Sequence, residues 1–209
     1  MLGARFVEIV PREGSGDDIL LSRDRNPNTA GARLFGLTSE PGARLPEIVQ
    51  AIANGEVKAL VCLGENPVNF GLSAPQLSTL PAFIVVDILE NEATPFATAL
   101  LPASAFAEKR GSMINRRGRL QRLNRAVRPP GDARDDWEIL RDLQQALTGG
   151  NGVYMIEDVF RQMSEGTPAL HGLSLSKIGD LGLQVIETDN NEPDVLGTSK
   201  RGKAGTPTP

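Results

Sequence analysis

The chain has 209 residues, 40% of them hydrophobic, and a formal net charge of -4, so it is long enough to bury one good core. The acidic balance excludes a general nucleic-acid binder, and the single cysteine excludes a disulfide framework, a cysteine-held iron–sulfur cluster and a zinc ribbon. No apolar run reaches the roughly 20 residues that span a bilayer, and the N-terminus lacks the apolar segment of a signal peptide. These features predict a reduced, soluble domain of cytoplasmic type.

The first elements in chain order are a turn, a helix and a buried strand. Residues 26–29 read Asn-Pro-Asn-Thr, a combination that favours a turn. Between residues 46 and 54 the apolar residues recur at helical spacing, and Gly55 stands where helices commonly end. The apolar run at residues 58–63 predicts a buried strand, which breaks at residues 64–67, Gly-Glu-Asn-Pro.

Two further apolar runs, at residues 82–88 and 97–101, also predict buried strands. Three such strands, separated by helical or loop connections, predict an α/β fold: a partly parallel, Rossmann-like sheet with helices on its faces. Ligands of parallel sheets bind at the carboxyl ends of the strands. Residues 64–67 and 87–92 both lie at such ends.

A basic run follows the third strand. From residue 109 to residue 131 there is no carboxylate, and Gly111 and Gly118 predict bends between short extended pieces. The run admits three interpretations: a solvated face, an anion site for a phosphate or dinucleotide, or a docking surface for an acidic partner. Its eight cations are Lys109, Arg110, Arg116, Arg117, Arg119, Arg122, Arg125 and Arg128.

The last third of the chain predicts two amphipathic helices, at residues 132–147 and 153–164. From about residue 188 the sequence is poor in apolar residues and rich in turn formers, which predicts disorder. The predicted organisation is therefore an α/β domain at 1–150, a short helical appendage at 151–187 and a disordered tail at 188–209.

Several side chains are candidates for chemistry. Cys62 lies among aliphatic neighbours, which favours a buried structural thiol, and His171 has no evident catalytic partner. Residues 64–67 could form a phosphate-binding turn, but without repeated glycines a tight turn leaving the sheet is favoured. Three acids could bind a cation, but their spacing favours solvation of a strand end instead: Asp87, Glu90 and Glu92.

The order of motifs across residues 14–147 resembles the molybdopterin oxidoreductase superfamily. The carrying segments read KALVCLGENP, FIVVDI, ALLPASAFAEKRGSMINRRGRLQR and RPPGDARDDWEIL. The family's Thr-Glu-Thr-Ala-like turn is altered here, at residues 91–94, to Asn-Glu-Ala-Thr. The matching positions are Gly64, Asn66, Pro67, Asp87, Leu101, Pro102, Glu108, Gly111, Asn115, Gly118, Arg119, Gln121, Pro130, Gly131, Asp136 and Trp137.

Within this superfamily the chain most resembles the large iron–sulfur subunit of NADH–quinone oxidoreductase, respiratory complex I. Catalytic molybdenum enzymes usually carry N-x-E-R-R-x-Q, whereas residues 115–121 read NRRGRLQ. Those enzymes also continue into a large β-rich domain, and here only a short segment follows. The family's cysteine-rich N-terminal region and the first half of its domain have no counterpart, which indicates a fragment or a split-gene product.

This resemblance implies a non-catalytic scaffold in electron transfer from NADH to quinone. It implies no catalytic residue, metal ligand or cofactor in this chain, with iron–sulfur clusters in the missing N-terminal region. The implied partners are other complex I subunits, without nucleic acid or membrane insertion, in the peripheral arm on the cytoplasmic side. The implied motif and docking residues are Glu108, Gly111, Asn115, Arg116, Gly118, Arg119, Gln121 and Arg122.

The alternative is part of a molybdopterin-dependent catalytic subunit, such as a formate dehydrogenase. In that case molybdopterin would be the cofactor, and part of the pterin-dinucleotide pocket would come from this chain. The residues lining it would be Gly64, Glu65, Asn66, Asp87 and Asn115.

Overall fold

A three-stranded parallel sheet forms the centre of the first part of the chain. Its strands are β1 Ala59–Leu63, β2 Ala82–Asp87 and β3 Ala99–Pro102, side by side in that order. The register pairs Ala59 with Ala82 and Ile84 with Ala99. The three apolar runs therefore form the strands that the sequence predicts, and the α/β fold class is confirmed.

The computed structural model describes residues 4–17, 21–150 and 152–187. The predicted disordered tail, residues 188–209, lies outside the described residues. None of the helices within the described ranges combines the length and the apolar character needed to cross a membrane.

Within the described ranges the strands are accompanied by five α-helices: α1 Thr29–Leu34, α2 Leu45–Ala53, α3 Ala74–Ser78, α4 Asp136–Thr148 and α5 Ile156–Gly166. Helix α2 is the helix predicted at residues 46–54, and Gly55 follows it with a φ of 71°. Single 3₁₀ turns lie at Pro67–Phe70, Thr94–Phe96, Pro168–Leu170 and Leu175–Lys177.

Helix α4 begins four residues later than the predicted start at residue 132. Gly131 has a φ of 51°, and Ala133 donates its N–H to the carbonyl of Pro130, which closes a turn. Arg134 then pairs with Ala103 in a parallel bridge beside β3. The backbone of residues 130–134 forms a turn and a bridge, so helix α4 begins only after residue 134.

The basic run forms a β-hairpin, called the basic hairpin below (residues 109–128). Strand β4, Gly111–Ile114, pairs antiparallel with β5, Arg119–Leu123. Strand β6, Leu183–Gln184, adds to the other side of β5. Gly118 lies in the turn with a φ of 72°, so the predicted bend between extended pieces is confirmed.

The first core fills one face of the parallel sheet. Helix α2 packs its Ile48 and Ile52 against Cys62, Phe83 and Val85. The opposite face of β2 is covered by α4, where Ile139 joins Val86 and Ala103. Helices on both faces hold the strands in place and leave their carboxyl ends to the connecting loops.

A second core lies between the basic hairpin and the last third of the chain. It contains Ile114 and Leu120 of the hairpin, Phe160 of α5, and Leu170 and Ile178 beyond it. Residues 152–187 thus contribute β6, α5 and much of this core. The domain boundary at residue 150 stays a prediction.

Candidate functional site

The loops that leave β1 and β2 lie at one edge of the parallel sheet, because paired parallel strands end on the same side. We call residues 64–67 and 87–94 the edge loops. Gly64 begins the first loop with a φ of 64°, and a Cβ built there would have no heavy atom within 4 Å. The backbone at Gly64 therefore bends sharply beside open space.

Asn66 ties the two edge loops together. Its Nδ2 donates to Oε2 of Glu92 over 2.5 Å, and its Oδ1 accepts the N–H of Val68 over 3.2 Å. The second bond caps the 3₁₀ turn that begins at Pro67. A single amide thus shapes the first loop and anchors it to the second.

Asp87 is the last residue of β2 and is half-buried. Its Oδ1 accepts the N–H of Ile88 over 2.7 Å, and its Oδ2 accepts Nδ2 of Asn91 over 3.3 Å. Asn91 in turn accepts the N–H of Ala93 over 3.0 Å. Each carboxylate oxygen keeps a second lone pair, so Asp87 can accept further hydroxyl or amine protons.

Arg12 brings the N-terminal segment to the same edge. Its Nη2 lies 2.7 Å from Oε1 of Glu65 and 3.3 Å from the carbonyl oxygen of Gly64. Burial raises the pKa of Glu65, with Arg12 opposing the shift and Asp87 adding to it. No local pattern singles out Arg12, because this contact joins residues 53 apart.

Replacing Arg12 by glutamine is expected to raise the pKa of Glu65 further. The guanidinium favours the ionised carboxylate, so its removal leaves burial and the charge of Asp87 to favour the protonated form. A carbon-detected NMR titration of the Glu65 carboxyl measures the change, with R128Q as a control that removes an exposed arginine elsewhere. An unchanged titration in R12Q would contradict the contact.

Cys62 lies in β1 directly behind this edge and is 5% exposed. Burial, with smaller contributions from Glu65 and Asp87, raises the pKa of its thiol to about 12. The predicted burial of this thiol is confirmed. At pH 8 the native chain should therefore resist a thiol reagent such as DTNB and react fully once denatured; rapid labelling of the native chain would refute this.

Two of the predicted motif residues in the hairpin, Asn115 and Arg119, stabilise its turn and its contact with β6. Oδ1 of Asn115 accepts the N–H groups of Arg117 and Arg119, each over 3.0 Å, and its Nδ2 donates to Gln121. Nη1 of Arg119 donates to the carbonyls of residues 181 and 182. These side-chain bonds of Asn115 stay within the hairpin, whereas four other candidates share the sheet edge: Gly64, Glu65, Asn66 and Asp87.

The other hairpin candidates have separate positions. Oε2 of Glu108 accepts the N–H of Ala105 over 2.9 Å and orders the loop before the hairpin. Gly111 opens β4 opposite Leu123. Arg116 lies exposed in the turn, and Arg122 lines a cavity at the open end of the hairpin. A role for these residues in docking stays a prediction.

Asp135 is a buried carboxylate that the sequence did not single out, and it connects the loop after β3, the hairpin and helix α4. Asp135 is 1% exposed, and its two oxygens accept bonds from four donors in separate segments. An Asp before an amphipathic helix is typical of an ordinary helix start, so only its long-range contacts reveal the role. The donors are Oγ of Ser104, Nη2 of Arg125, the backbone N–H of Arg110 and Nε1 of Trp137.

Comparison with known proteins gives a family match over most of the chain. The protein-family model described as "Molybdopterin oxidoreductase" matches residues 16–146. The chain is 34% identical over 154 residues to F420-dependent formate dehydrogenase 2 subunit alpha of Methanococcus maripaludis, covering 71% of this chain and 23% of that protein. It is 34% identical over 179 residues to NADPH-Fe(3+) oxidoreductase subunit alpha of Geobacter sulfurreducens, covering 82% and 20%.

A third relative is the assimilatory nitrate reductase catalytic subunit of Bacillus subtilis, 35% identical over 149 residues, covering 65% of this chain and 21% of that protein. A solved structure of acetylene hydratase from Pelobacter acetylenicus aligns with a TM-score of 0.47 at 17% identity, over 65% of this chain and 20% of that one. The chain thus spans less than a quarter of the length of these relatives.

These relatives overturn the complex I interpretation. They are formate dehydrogenase, nitrate reductase and other oxidoreductase subunits, so the scaffold function assigned from the hairpin sequence is wrong. One of the two features that suggested it, residues 115–121, lies in the hairpin, where Asn115 and Gly118 bond nearby backbone groups. The complex I partners and the place in its peripheral arm have no support from these relatives. The chain belongs to the molybdopterin oxidoreductase family.

Proposed function

We propose that this chain contributes part of the pterin-dinucleotide pocket of a molybdopterin-dependent oxidoreductase of the formate dehydrogenase type. The observation that carries the proposal is the pair of edge loops at the carboxyl ends of β1 and β2, the position where parallel sheets bind ligands. The formate dehydrogenase and nitrate reductase subunits among the relatives support this enzyme class.

The groups of the edge loops match the chemistry of a nucleotide. The Asp87 carboxylate can accept hydrogen bonds from ribose hydroxyls, and its bonds to Ile88 and Asn91 hold it in a fixed position. Open space beside Gly64 lets a ligand approach the backbone closely. The amides of Asn66 and Asn91 can exchange their present partners for the polar edge of a base. Glu65 and Asn115 are further proposed contacts.

The proposed contacts are with the organic part of the cofactor, whose metal supplies the redox chemistry when the cofactor is bound. Within the described ranges, no group of three or more His, Cys, Asp or Glu side chains is placed to hold a metal ion. The role proposed for the edge loops is to bind and orient the nucleotide end.

Titration with the four common nucleoside diphosphates tests the proposal. Backbone amide NMR signals of the edge loops are expected to shift saturably with at least one of them. Asp87→Asn keeps an oxygen for the N–H of Ile88 but weakens a bond to a ribose hydroxyl, so about tenfold weaker binding is expected.

Asp132→Asn is the matched control, because Asp132 is an exposed acid outside the edge loops and its substitution removes the same charge. Shifts confined to other surfaces, or equal effects of D87N and D132N, would argue against nucleotide binding at this edge.

The proposed partners are other subunits of the same enzyme. Two relatives are named as alpha subunits, and the chain covers only 23% and 20% of their lengths. Co-purification with further oxidoreductase subunits from the native host is the expected result.

A further inference from the structure

The inward side of the basic hairpin changes from apolar to polar along its length. Ile114 and Leu120 are paired, and both are buried in the second core. Because side chains alternate along a strand, the same side carries Ser112 opposite Arg122. Continuing the register toward the open end of the hairpin brings Arg110 opposite Asn124. The core thus gives way to a pair of arginines.

A cavity of about 110 Å³ lies at this open end. Its polar lining consists of Arg110, Arg122, Asn124, Glu157 and Ser176, and the first turn of α5 lies along one side. One molecule occupies about 30 Å³ in liquid water, so the cavity has room for an ion larger than a water molecule.

The polar groups in this cavity have unused donors. Among the described residues, the side chains of Arg122 and Asn124 have no hydrogen-bond or ion-pair partner. Nη2 of Arg110 donates to Oε1 of Glu157 over 3.0 Å, which leaves its other guanidinium N–H groups available. Two cations therefore face one carboxylate, and the cavity carries a net positive charge.

The backbone of Arg110 is fixed at the edge of this cavity. Its backbone N–H donates over 3.0 Å to Oδ2 of Asp135, which is buried. The backbone of Arg122 is held by its place in β5 opposite Ser112. Both guanidinium groups therefore extend from fixed backbone positions, and the exposed side chain of Arg110 is directed by its bond to Glu157.

We propose that this cavity binds a small oxyanion of the phosphate class. The guanidinium groups of Arg110 and Arg122 bind its oxygens as charge-assisted pairs, and the Asn124 amide donates a further bond. The Ser176 hydroxyl can donate another while it accepts the hydroxyl proton of Ser174. The site lies on the hairpin and α5, and it does not depend on the nucleotide pocket proposed at the sheet edge.

Isothermal titration calorimetry of the 209-residue chain with inorganic phosphate tests this site. Sodium chloride at the same low ionic strength is the reference titrant. Saturable phosphate binding is expected, and Arg122→Gln should weaken it at least about tenfold. Arg128→Gln removes an exposed arginine of the same run that does not line the cavity, and it should leave the affinity unchanged.

A variant that should bind phosphate more tightly provides a second test of the site. Glu157→Gln removes the carboxylate that lines the cavity and should tighten phosphate binding several-fold, whereas Glu165→Gln, on the exposed side of the same helix, should not. Binding that chloride matches, equal losses in R122Q and R128Q, or no gain in E157Q would each overturn the proposal.

Discussion

Asp135→Ala is expected to lower the free energy of unfolding by about 3–5 kcal/mol. The substitution removes the acceptor of four donors that come from the loop after β3, both ends of the hairpin and the start of α4. Arg125 is partly exposed and can turn to water, but the Ser104 hydroxyl is buried and the N–H of Arg110 is directed at the buried carboxylate. Each donor left unsatisfied costs about 1–3 kcal/mol. Denaturation in guanidinium chloride measures the loss.

Asp132→Ala is the control for this prediction, because Asp132 is an exposed carboxylate in the turn before α4. It should change the unfolding free energy by less than about 0.5 kcal/mol. Asp135→Asn keeps one acceptor oxygen, so an intermediate loss is expected. Equal stability of D135A and D132A would show that the buried carboxylate does not join these segments.

Gly118→Ala is expected to cost about 2–4 kcal/mol of stability and to loosen the hairpin from β6. Gly118 has a φ of 72°, and a Cβ there would lie 2.1 Å from the carbonyl oxygen of Ile186. The Gly118 carbonyl also accepts the N–H groups of Val185 and Ile186, so the two backbones cannot separate without losing those bonds. The clash is with backbone, which no side-chain rotation relieves.

Gly55→Ala separates the clash from the backbone strain. Gly55 has a φ of 71°, but a Cβ there would have no heavy atom within 4 Å. It should cost about 1 kcal/mol, the strain of a left-handed alanine alone. The difference between G118A and G55A, measured by denaturation, isolates the packing of the hairpin turn against Ile186. No difference would contradict that packing.

The parallel sheet is predictable from the sequence because its signals are local. The strand runs at residues 58–63, 82–88 and 97–101 are each short and mostly apolar, and the first and third are followed directly by Gly64 and Pro102. The predicted start of α4 is too early because residues 131–134 could extend a helix by composition. Their backbone bonds to Pro102, Ser104 and Pro130 are long-range or turn contacts, which the local pattern does not contain.

The candidate site is only partly predictable for the same reason. The residues at the strand ends follow from the topology of a parallel sheet, so Gly64, Asn66 and Asp87 can be grouped from the sequence. Arg12 and Asp135 cannot, because Arg12 contacts Glu65, 53 residues away, and three of the four donors to Asp135 lie 10 to 31 residues away. The predicted branch of the family is wrong, because the relatives are formate dehydrogenase, nitrate reductase and other oxidoreductase subunits.

The pterin content of the native assembly tests the central claim most directly. The chain would be tagged in its host, purified with its companions, and its cofactor released and identified by the fluorescence of the oxidised pterin and by mass spectrometry. A pterin dinucleotide in stoichiometric amount with the chain is the expected result. An intact oxidoreductase assembly that contains this chain and no pterin would contradict the proposed pocket.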